Sequence, residues 1–385
     1  MTEVLLAAGD ASGDAHAAEL VAALRARVPD AVCFGLGGEA MKRAGVDLLV
    51  AQRELAIGGL VEVVGTLPRV FAAWRRLLRA ARARRPALVV LVDSPELNLP
   101  LAGRLRRLGV PILYYIAPQV WAWRTGRLRK IARRVDRLAV IFPFEVPLFA
   151  SAGIRVDFVG HPLVDRVGAL AARLDRAGAR ALLGLDAGRG LVALLPGSRH
   201  NEVARGLPLQ LDVARRLQAQ VPGVAFALAL APTVREEEVA PALAEAEAGG
   251  LRVQVVAGRT HELLRAADVA VVKPGTATLE AALLGCPLVA CGRAHPLTAL
   301  AIRPMIRVPS WTLPNLIAGA PIVPEFLQEA AVPERIAAAL AGLLAGPARE
   351  LQLARLADVA RRLGPGGAAV RAAAIAEEML GGGVA

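Results

Sequence analysis

Short apolar runs rich in Val and Leu alternate along the chain with longer Ala-, Arg- and Leu-rich stretches in which apolar residues return at helical spacing. Runs of this kind, apolar throughout, are the mark of parallel strands covered by helices. In the first half they fall at 4–8, 31–36, 87–92, 111–116, 137–141 and 156–159. After a helical stretch around 165–183 the rhythm starts again, at 190–195, 223–230, 251–256, 269–272 and 287–291. The pattern predicts an α/β protein of two Rossmann-like, doubly wound domains, 1–170 and 171–367, with Pro162 and the polar stretch 186–190 marking the crossing. A last helix, 368–380, follows the breaker Gly364-Pro365-Gly366-Gly367, a turn that lets the tail pack back on the first domain. Two such domains facing across a cleft bring together the carboxyl ends of their sheets, where open α/β sheets bind ligands.

Composition narrows this picture. With 385 residues, 55% hydrophobic and 21% charged, the chain is neither disordered nor short of core material. Cys33, Cys286 and Cys291 are odd in number and scattered, so neither a disulfide framework nor a zinc site is indicated and a reducing compartment is expected. No apolar stretch reaches the length of a spanning helix, and the run at 4–8 follows Glu3 and stops at Gly9-Asp10, unlike a signal peptide. The expected location is the cytoplasm. The formal charge is +12, and only Lys42, Lys130 and Lys273 among the 46 basic residues are not arginine. Arginine abundant beside Ala and Gly fits a GC-rich coding bias, and equally an attraction for phosphate-bearing partners. Aromatic residues are 4% and are not interleaved with the cations, which argues against nucleic acid as a partner.

The loops after the expected strands hold the candidate chemistry. Ala8-Gly9-Asp10-Ala11-Ser12-Gly13-Asp14 runs into a helix. Its small residues let the backbone approach a ligand, and the helix start offers N–H groups to an oxygen or phosphate. Ser12 and Asp14 serve equally well as caps of that helix. Gly35-Leu36-Gly37-Gly38 has two glycines of a dinucleotide loop, but Ala40 stands where the third belongs. The stretch 67–85 is a basic amphipathic helix in which Val70, Phe71, Trp74, Leu77 and Leu78 share an apolar face. It suits a membrane interface, and also a surface helix with a stripe toward the core.

Asp93-Ser94-Pro95-Glu96-Leu97-Asn98 puts an acid directly after a strand, where a carboxylate can take a proton from a substrate hydroxyl or cap the next turn. Pro118-Gln119-Val120-Trp121-Ala122-Trp123-Arg124 carries two of the four tryptophans beside a cation, a composition for a core pair or for a ring-shaped or lipid ligand. His161, a lone histidine, reads as structural. In the second half, Leu195-Pro196-Gly197-Ser198-Arg199 combines glycine, hydroxyl and guanidinium in one turn, a plausible contact for a diphosphate. Lys273-Pro274-Gly275-Thr276-Ala277-Thr278-Leu279-Glu280 runs from a strand through a glycine turn into a helix, whose N–H groups and dipole favour an anion, with Glu280 one turn in for ribose hydroxyls. Neither loop fits a P-loop.

Taken in order, these segments resemble the lipid-A-disaccharide synthase family, bacterial glycosyltransferases of the two-Rossmann-domain (GT-B) type. The resemblance rests on 8–14, 58–64, 93–98, 117–124, Phe142-Pro143-Phe144-Glu145, 159–162, 194–199, 275–283, Leu313-Pro314-Asn315-Leu316 and 325–329. It implies an inverting hexosyltransferase that moves 2,3-diacylglucosamine from its UDP donor to 2,3-diacylglucosamine 1-phosphate, forming the β(1→6) lipid A disaccharide 1-phosphate and UDP. Asp93 matches the family's proposed base. The resemblance further implies that Ser198, Arg199, Gly275, Thr276, Glu280 and Asn315 hold the UDP moiety, and that Ser12, Gly13, Asp14, Glu62, Phe71, Trp74, Trp121, Trp123 and Arg124 meet the acceptor or its lipid. It makes 1–170 the acceptor domain and 171–367 the donor domain, and places the protein peripherally on the inner membrane's cytoplasmic face. No cofactor is expected, no metal site is indicated because no Asp-x-Asp appears, and a homodimer is left open.

The chain departs from the family pattern in three places. Lys273-Pro274-Gly275-Thr276 stands where Ser-Gly-Thr is expected, Glu96 stands where an aspartate is common in Asp-x-Pro-Asp-x-Asn, and His16 is unassigned. Two other function classes share some of these signals. Another UDP-sugar enzyme of the same fold, an epimerase or a peptidoglycan transferase, should lack the Trp121–Trp123 loop, and a non-catalytic nucleotide or lipid binder should tolerate Asp93→Asn.

Overall fold

The computed structural model describes residues 1–55, 63–123, 125–294 and 309–381, with side chains described for all of these except 63–67, 122, 123 and 125. The chain forms two compact units, Met1–Pro162 with Pro365–Ala385, and Leu163–Gly364. In the first, β1 (Thr2–Ala8), β2 (Ala31–Gly37), β3 (Asp47–Ala51), β4 (Leu88–Val92), β5 (Ile112–Tyr115), β6 (Arg137–Val140) and β7 (Arg155–Phe158) pair in parallel in the order β3-β2-β1-β4-β5-β6-β7. The order reverses between β1 and β4, which lie side by side with Ala8 opposite Val92. The loops leaving these two strands therefore part to opposite sides of the sheet and open a crevice at its carboxyl edge.

The second unit repeats the plan. Strands β8 (Leu191–Leu195), β9 (Ala225–Leu230), β10 (Val253–Ala257), β11 (Val269–Val272), β12 (Leu288–Gly292) and β13 (Glu325–Leu327) are parallel in the order β10-β9-β8-β11-β12-β13. Here the reversal falls between β8 and β11, with Leu195 opposite Val272. Both units thus belong to the doubly wound α/β class that the apolar runs predict. The central strands are buried on both faces, and each Leu or Val so buried stabilises the unit by about 1.5–3 kcal/mol.

Four helices of the first unit position its chemistry: α1 (Ala11–Arg27), α2 (Glu39–Arg43), α3 (Val63–Arg84) and α4 (Pro95–Leu105). The apolar stripe of α3 sends Ala73, Trp74, Leu77 and Ala81 into the core and leaves Arg69, Phe71, Arg75, Arg79 and Arg82 to solvent. The terminal helix Ala368–Gly381 packs along α1, where Arg27 pairs with Glu377 at 2.6 Å. Arg137, buried on β6, holds both Asp157 and Glu378, and Arg371 donates to the Val159 carbonyl at 2.8 Å, so the tail is tied to the first unit by charge as well as packing. Among the described residues no helix is long and apolar enough to cross a membrane.

Candidate active site

At the reversal point of the first unit, Asp93 and Ser94 leave β4 with φ of +47° and +45°. Left-handed backbone at two successive non-glycine residues costs on the order of 1–3 kcal/mol each and persists only where neighbours enforce it. Here they do. The amide of Asn98, wholly buried, donates to the carbonyls of Ala7 (3.2 Å), Val92 (3.0 Å) and Asp93 (2.8 Å). The Tyr114 hydroxyl, reaching from β5, donates to the same Asp93 carbonyl at 2.6 Å. From the other side, Ser94 Oγ donates to Asp10 Oδ2 at 2.5 Å and accepts the Gly9 N–H at 3.2 Å. A Cβ on Gly9 would lie 2.9 Å from Ser94 Oγ and 2.8 Å from Leu97 Cδ2, so this close approach of the two loops needs glycine.

The Asp93 carboxyl is half-buried, and burial raises its pKa above the ordinary value. The charge of Asp10 adds to the rise, while a backbone hydrogen bond at Ser94 and the nearby His16 oppose it. A carboxylate with raised proton affinity, held by a strained turn at the carboxyl edge of the sheet, has the attributes of a general base. Asp10, Asn98 and His16, which the sequence alone left without roles, enter the site through these contacts. Glu96 is exposed at this turn and receives both terminal nitrogens of Arg127, at 3.0 and 3.2 Å.

Other residues singled out in the first unit take different places. Ser12 is exposed at the start of α1, and the Gly13 N–H closes the turn on Asp10 Oδ1 at 2.8 Å. The Asp14 carboxylate is turned inward: it is 5% exposed and accepts the backbone N–H groups of Gly38, Ala40 and Met41, at 2.7, 2.9 and 3.1 Å. It anchors α2 to α1, and a Cβ on Gly38 would meet its Oδ2, while one on Gly37 would meet the Met41 side chain. Trp74 is likewise a correction. Lying 7% exposed in the core with the Arg104 guanidinium 4.2 Å from its ring centre, it cannot share the outward role of Phe71, which is 50% exposed and stands edge-on to it.

Trp121 packs edge-on against Phe142 and Phe144 and donates its indole N–H to Glu145 Oε1 at 3.1 Å. Burial pushes the Glu145 carboxyl up to about 8, against hydrogen bonds from the Phe142 N–H and Trp121 that favour the charged form. His161 sits against the Phe142 ring in the same cluster. Glu62, Arg124 and the Trp123 side chain lie outside the described residues, as does most of the 58–64 segment.

At the reversal point of the second unit the two glycine turns emerge side by side, joined by the Lys273 N–H donating to the Leu195 carbonyl at 2.9 Å. Glu202, in the first turn of the helix His200–Gln220, clasps both: its Oε1 accepts Lys273 Nζ at 2.9 Å and its Oε2 accepts the Ser198 N–H at 3.2 Å. Burial pushes the Glu202 carboxyl up, but Lys273, the Ser198 amide and Arg199 together hold it below its ordinary value. Lys273 thus straps one turn to the other. Gly197, at φ +133°, could not carry a Cβ without meeting Glu202 at 2.7 Å.

The Arg199 side chain is 80% exposed, and Ser198, Gly275 and Thr276 are exposed beside the start of the helix Thr276–Leu283. Hydroxyls, a mobile-stemmed guanidinium and helix-start amides at one sheet edge can take a diphosphate. Glu280 pairs with His261 at 3.4 Å, and that pairing, outweighing the opposing effect of burial, makes the imidazole more basic than usual. Asn315 is a further correction. Its amide is 2% exposed and fully engaged, donating to Glu325 and the Val323 carbonyl and accepting the N–H groups of Ile322 and Val323. Glu325 in turn accepts from Trp311 and Thr312, so the motifs around 313 and 325 are one internal network.

The comparisons agree with this architecture. Residues 4–366 match the family model described as lipid-A-disaccharide synthetase. The chain is 43% identical over 379 residues to a lipid-A-disaccharide synthase of Geobacter metallireducens, covering 98% of this chain and 97% of that one. It is 44% identical over 379 residues to that of Myxococcus xanthus, with the same coverage. In fold it is similar to the UDP-GlcNAc 2-epimerase of Neisseria meningitidis (TM-score 0.62, 11% identity, 98% of this chain and 99% of that one). It is also similar to MurG of Acinetobacter baumannii (TM-score 0.58, 14% identity, 98% and 100%). The chain belongs to the lipid-A-disaccharide synthase family of glycosyltransferases.

Proposed function

We propose that the second unit holds UDP-2,3-diacylglucosamine and that Asp93 of the first unit activates 2,3-diacylglucosamine 1-phosphate. The acceptor's 6-oxygen forms a bond to the donor's anomeric carbon as the bond from that carbon to the diphosphate breaks. The electron pair leaves with UDP, the hydroxyl proton goes to the Asp93 carboxylate, and inversion yields a β(1→6) linkage. No metal enters this scheme. Charge builds on the departing diphosphate, so Arg199, Ser198, Thr276 and the Gly275 amide, aimed at its oxygens, stabilise the transition state more than the ground state.

The observation that carries this reading is the coincidence, in each unit, of the candidate chemistry with the point where the strand order reverses: Asp93 after β4, and the paired glycine turns after β8 and β11. A peripheral location on the inner membrane is part of the proposal, supported by Phe71 exposed among the arginines of α3. Mass spectrometry of the products formed from the two purified lipid substrates tests the reaction. A disaccharide 1-phosphate and UDP in equal amounts are expected, and hydrolysis of the donor alone would count against it. Arg199→Ala should weaken UDP binding by roughly 10–100-fold, the worth of one charge-assisted contact, as read by calorimetry. An unchanged affinity would remove Arg199 from the phosphate site.

A further inference from the structure

α4 begins at the Asp93 turn, and its far end, eleven residues or about 16 Å away, borders an open groove of about 450 Å³. Arg104, Arg106 and Arg107, at and just beyond the end of α4, and Arg133 and Arg134, after the helix Leu128–Ala132, line it together with Gly103. Among the described residues the carboxylate paired with any of the five is Asp136, which takes Arg106 at 2.6 Å while its other oxygen accepts the Ile112 N–H. The other four arginines that line the groove have no carboxylate partner among the described residues.

Solvation of a helix end by scattered arginines does not account for the way two of them are held. Arg104 donates to the Pro100 carbonyl at 2.9 Å and is stacked on the Trp74 ring. Arg134 donates to the Leu99 carbonyl at 2.8 Å, and it lies so close along α4 that a Cβ on Gly103 would meet its Nε at 3.0 Å and its Cζ at 3.1 Å. Glycine inside a helix costs about 1 kcal/mol relative to alanine, and here it makes room for the guanidinium. Each of these two arginines uses one of its five N–H donors on a carbonyl. Burial, and after it the neighbouring Arg104 charge, lower the proton affinity of Arg134.

We propose that this groove, built entirely from first-unit residues, binds a phosphate-bearing anion at a site separate from both the Asp93 turn and the glycine turns of the second unit. Phosphate suits it because planar guanidiniums pair bidentately with tetrahedral oxygens, and a multiply charged group can satisfy several at once. The phosphate belongs either to a lipid headgroup or to a soluble phosphorylated molecule.

The test uses the full chain with UDP at saturation, so that the nucleotide turns are filled. Inorganic phosphate is titrated against chloride of matched ionic strength, and sedimentation is measured with phosphatidylcholine vesicles with and without phosphatidylglycerol. Arg107→Gln/Arg133→Gln removes two exposed charges, and Gly103→Ala displaces Arg134; retained disaccharide synthesis shows that each variant folds. At least a tenfold loss of phosphate affinity in both variants is expected. Accompanying loss of sedimentation with the anionic vesicles assigns the headgroup, and unchanged sedimentation assigns a soluble ligand. Variants that match the wild type in both phosphate affinity and sedimentation overturn the site.

Discussion

Asp93→Asn should lower kcat by about 10²–10⁴-fold, the usual worth of a positioned general base, while leaving UDP affinity as it was. The substitution keeps the size of the side chain, the Asn98 amide and the Tyr114 hydroxyl hold the turn through the Asp93 carbonyl, and an amide oxygen at 93 can still accept the Ser94 N–H. The variant should therefore fold normally. Because burial and Asp10 raise the Asp93 pKa, the folded chain binds this proton more tightly than the unfolded chain does. Stability linked to Asp93 is thus complete below the ordinary carboxylate range and is lost as the pH rises through the folded value. At neutral pH the ionised acid is a burden on the fold, so Asp93→Asn should melt at the same or a higher temperature than the wild type. A variant that loses turnover and melts lower would place Asp93 among the structural residues instead.

Asn98→Ala should do the reverse, losing stability first and activity as a consequence. It removes the side-chain amide from the carbonyls of Ala7, Val92 and Asp93, and at Asp93 the Tyr114 hydroxyl remains as a donor. An unsatisfied buried polar group costs about 1–3 kcal/mol, so melting of the first unit should fall by roughly 5–15 °C. With the clasp gone the left-handed turn at 93 and 94 relaxes and the carboxylate loses its aim. Turnover should then drop at least tenfold at a temperature where the protein is still folded, with UDP affinity again unaffected. Wild-type melting and turnover in this variant would show that the turn does not depend on the Asn98 amide.

How far the sequence was legible depends on whether a residue's role is set by its neighbours along the chain or by partners far from it. The strands buried in both sheets stand out as apolar runs. The two that the pattern leaves out, β3 and β13, are sheet edges: β13 is three residues long, too short to register as a run, whereas β3, Asp47-Leu48-Leu49-Val50-Ala51, is an apolar run that the reading passes over. The turns at 93, 197 and 275 were also legible, since an acid or a glycine directly after a strand is a local signal.

Roles assigned by distant partners were not. Asp14 reads as a cap or a ligand contact until α2 is seen to bring three amides to it from residues 38–41. Asn315 reads as polar and available until the 322–325 segment folds over it. Phe71 and Trp74 sit 60° apart on an ideal helix, near the border of the apolar stripe, and periodicity cannot tell which of them faces inward. Glu202 and Lys273, 71 residues apart, meet only because β8 and β11 are neighbours.

The claim that Asp93 takes the acceptor's proton is tested most directly by the pH dependence of single-turnover disaccharide formation, measured with donor and acceptor at saturation in the wild type and in Asp93→Asn. In the wild type the rate should rise with pH through one ionisation lying above the ordinary carboxylate range, and the residual rate of the variant should lack that step. The same ionisation persisting in Asp93→Asn would assign the base to another residue and contradict the account.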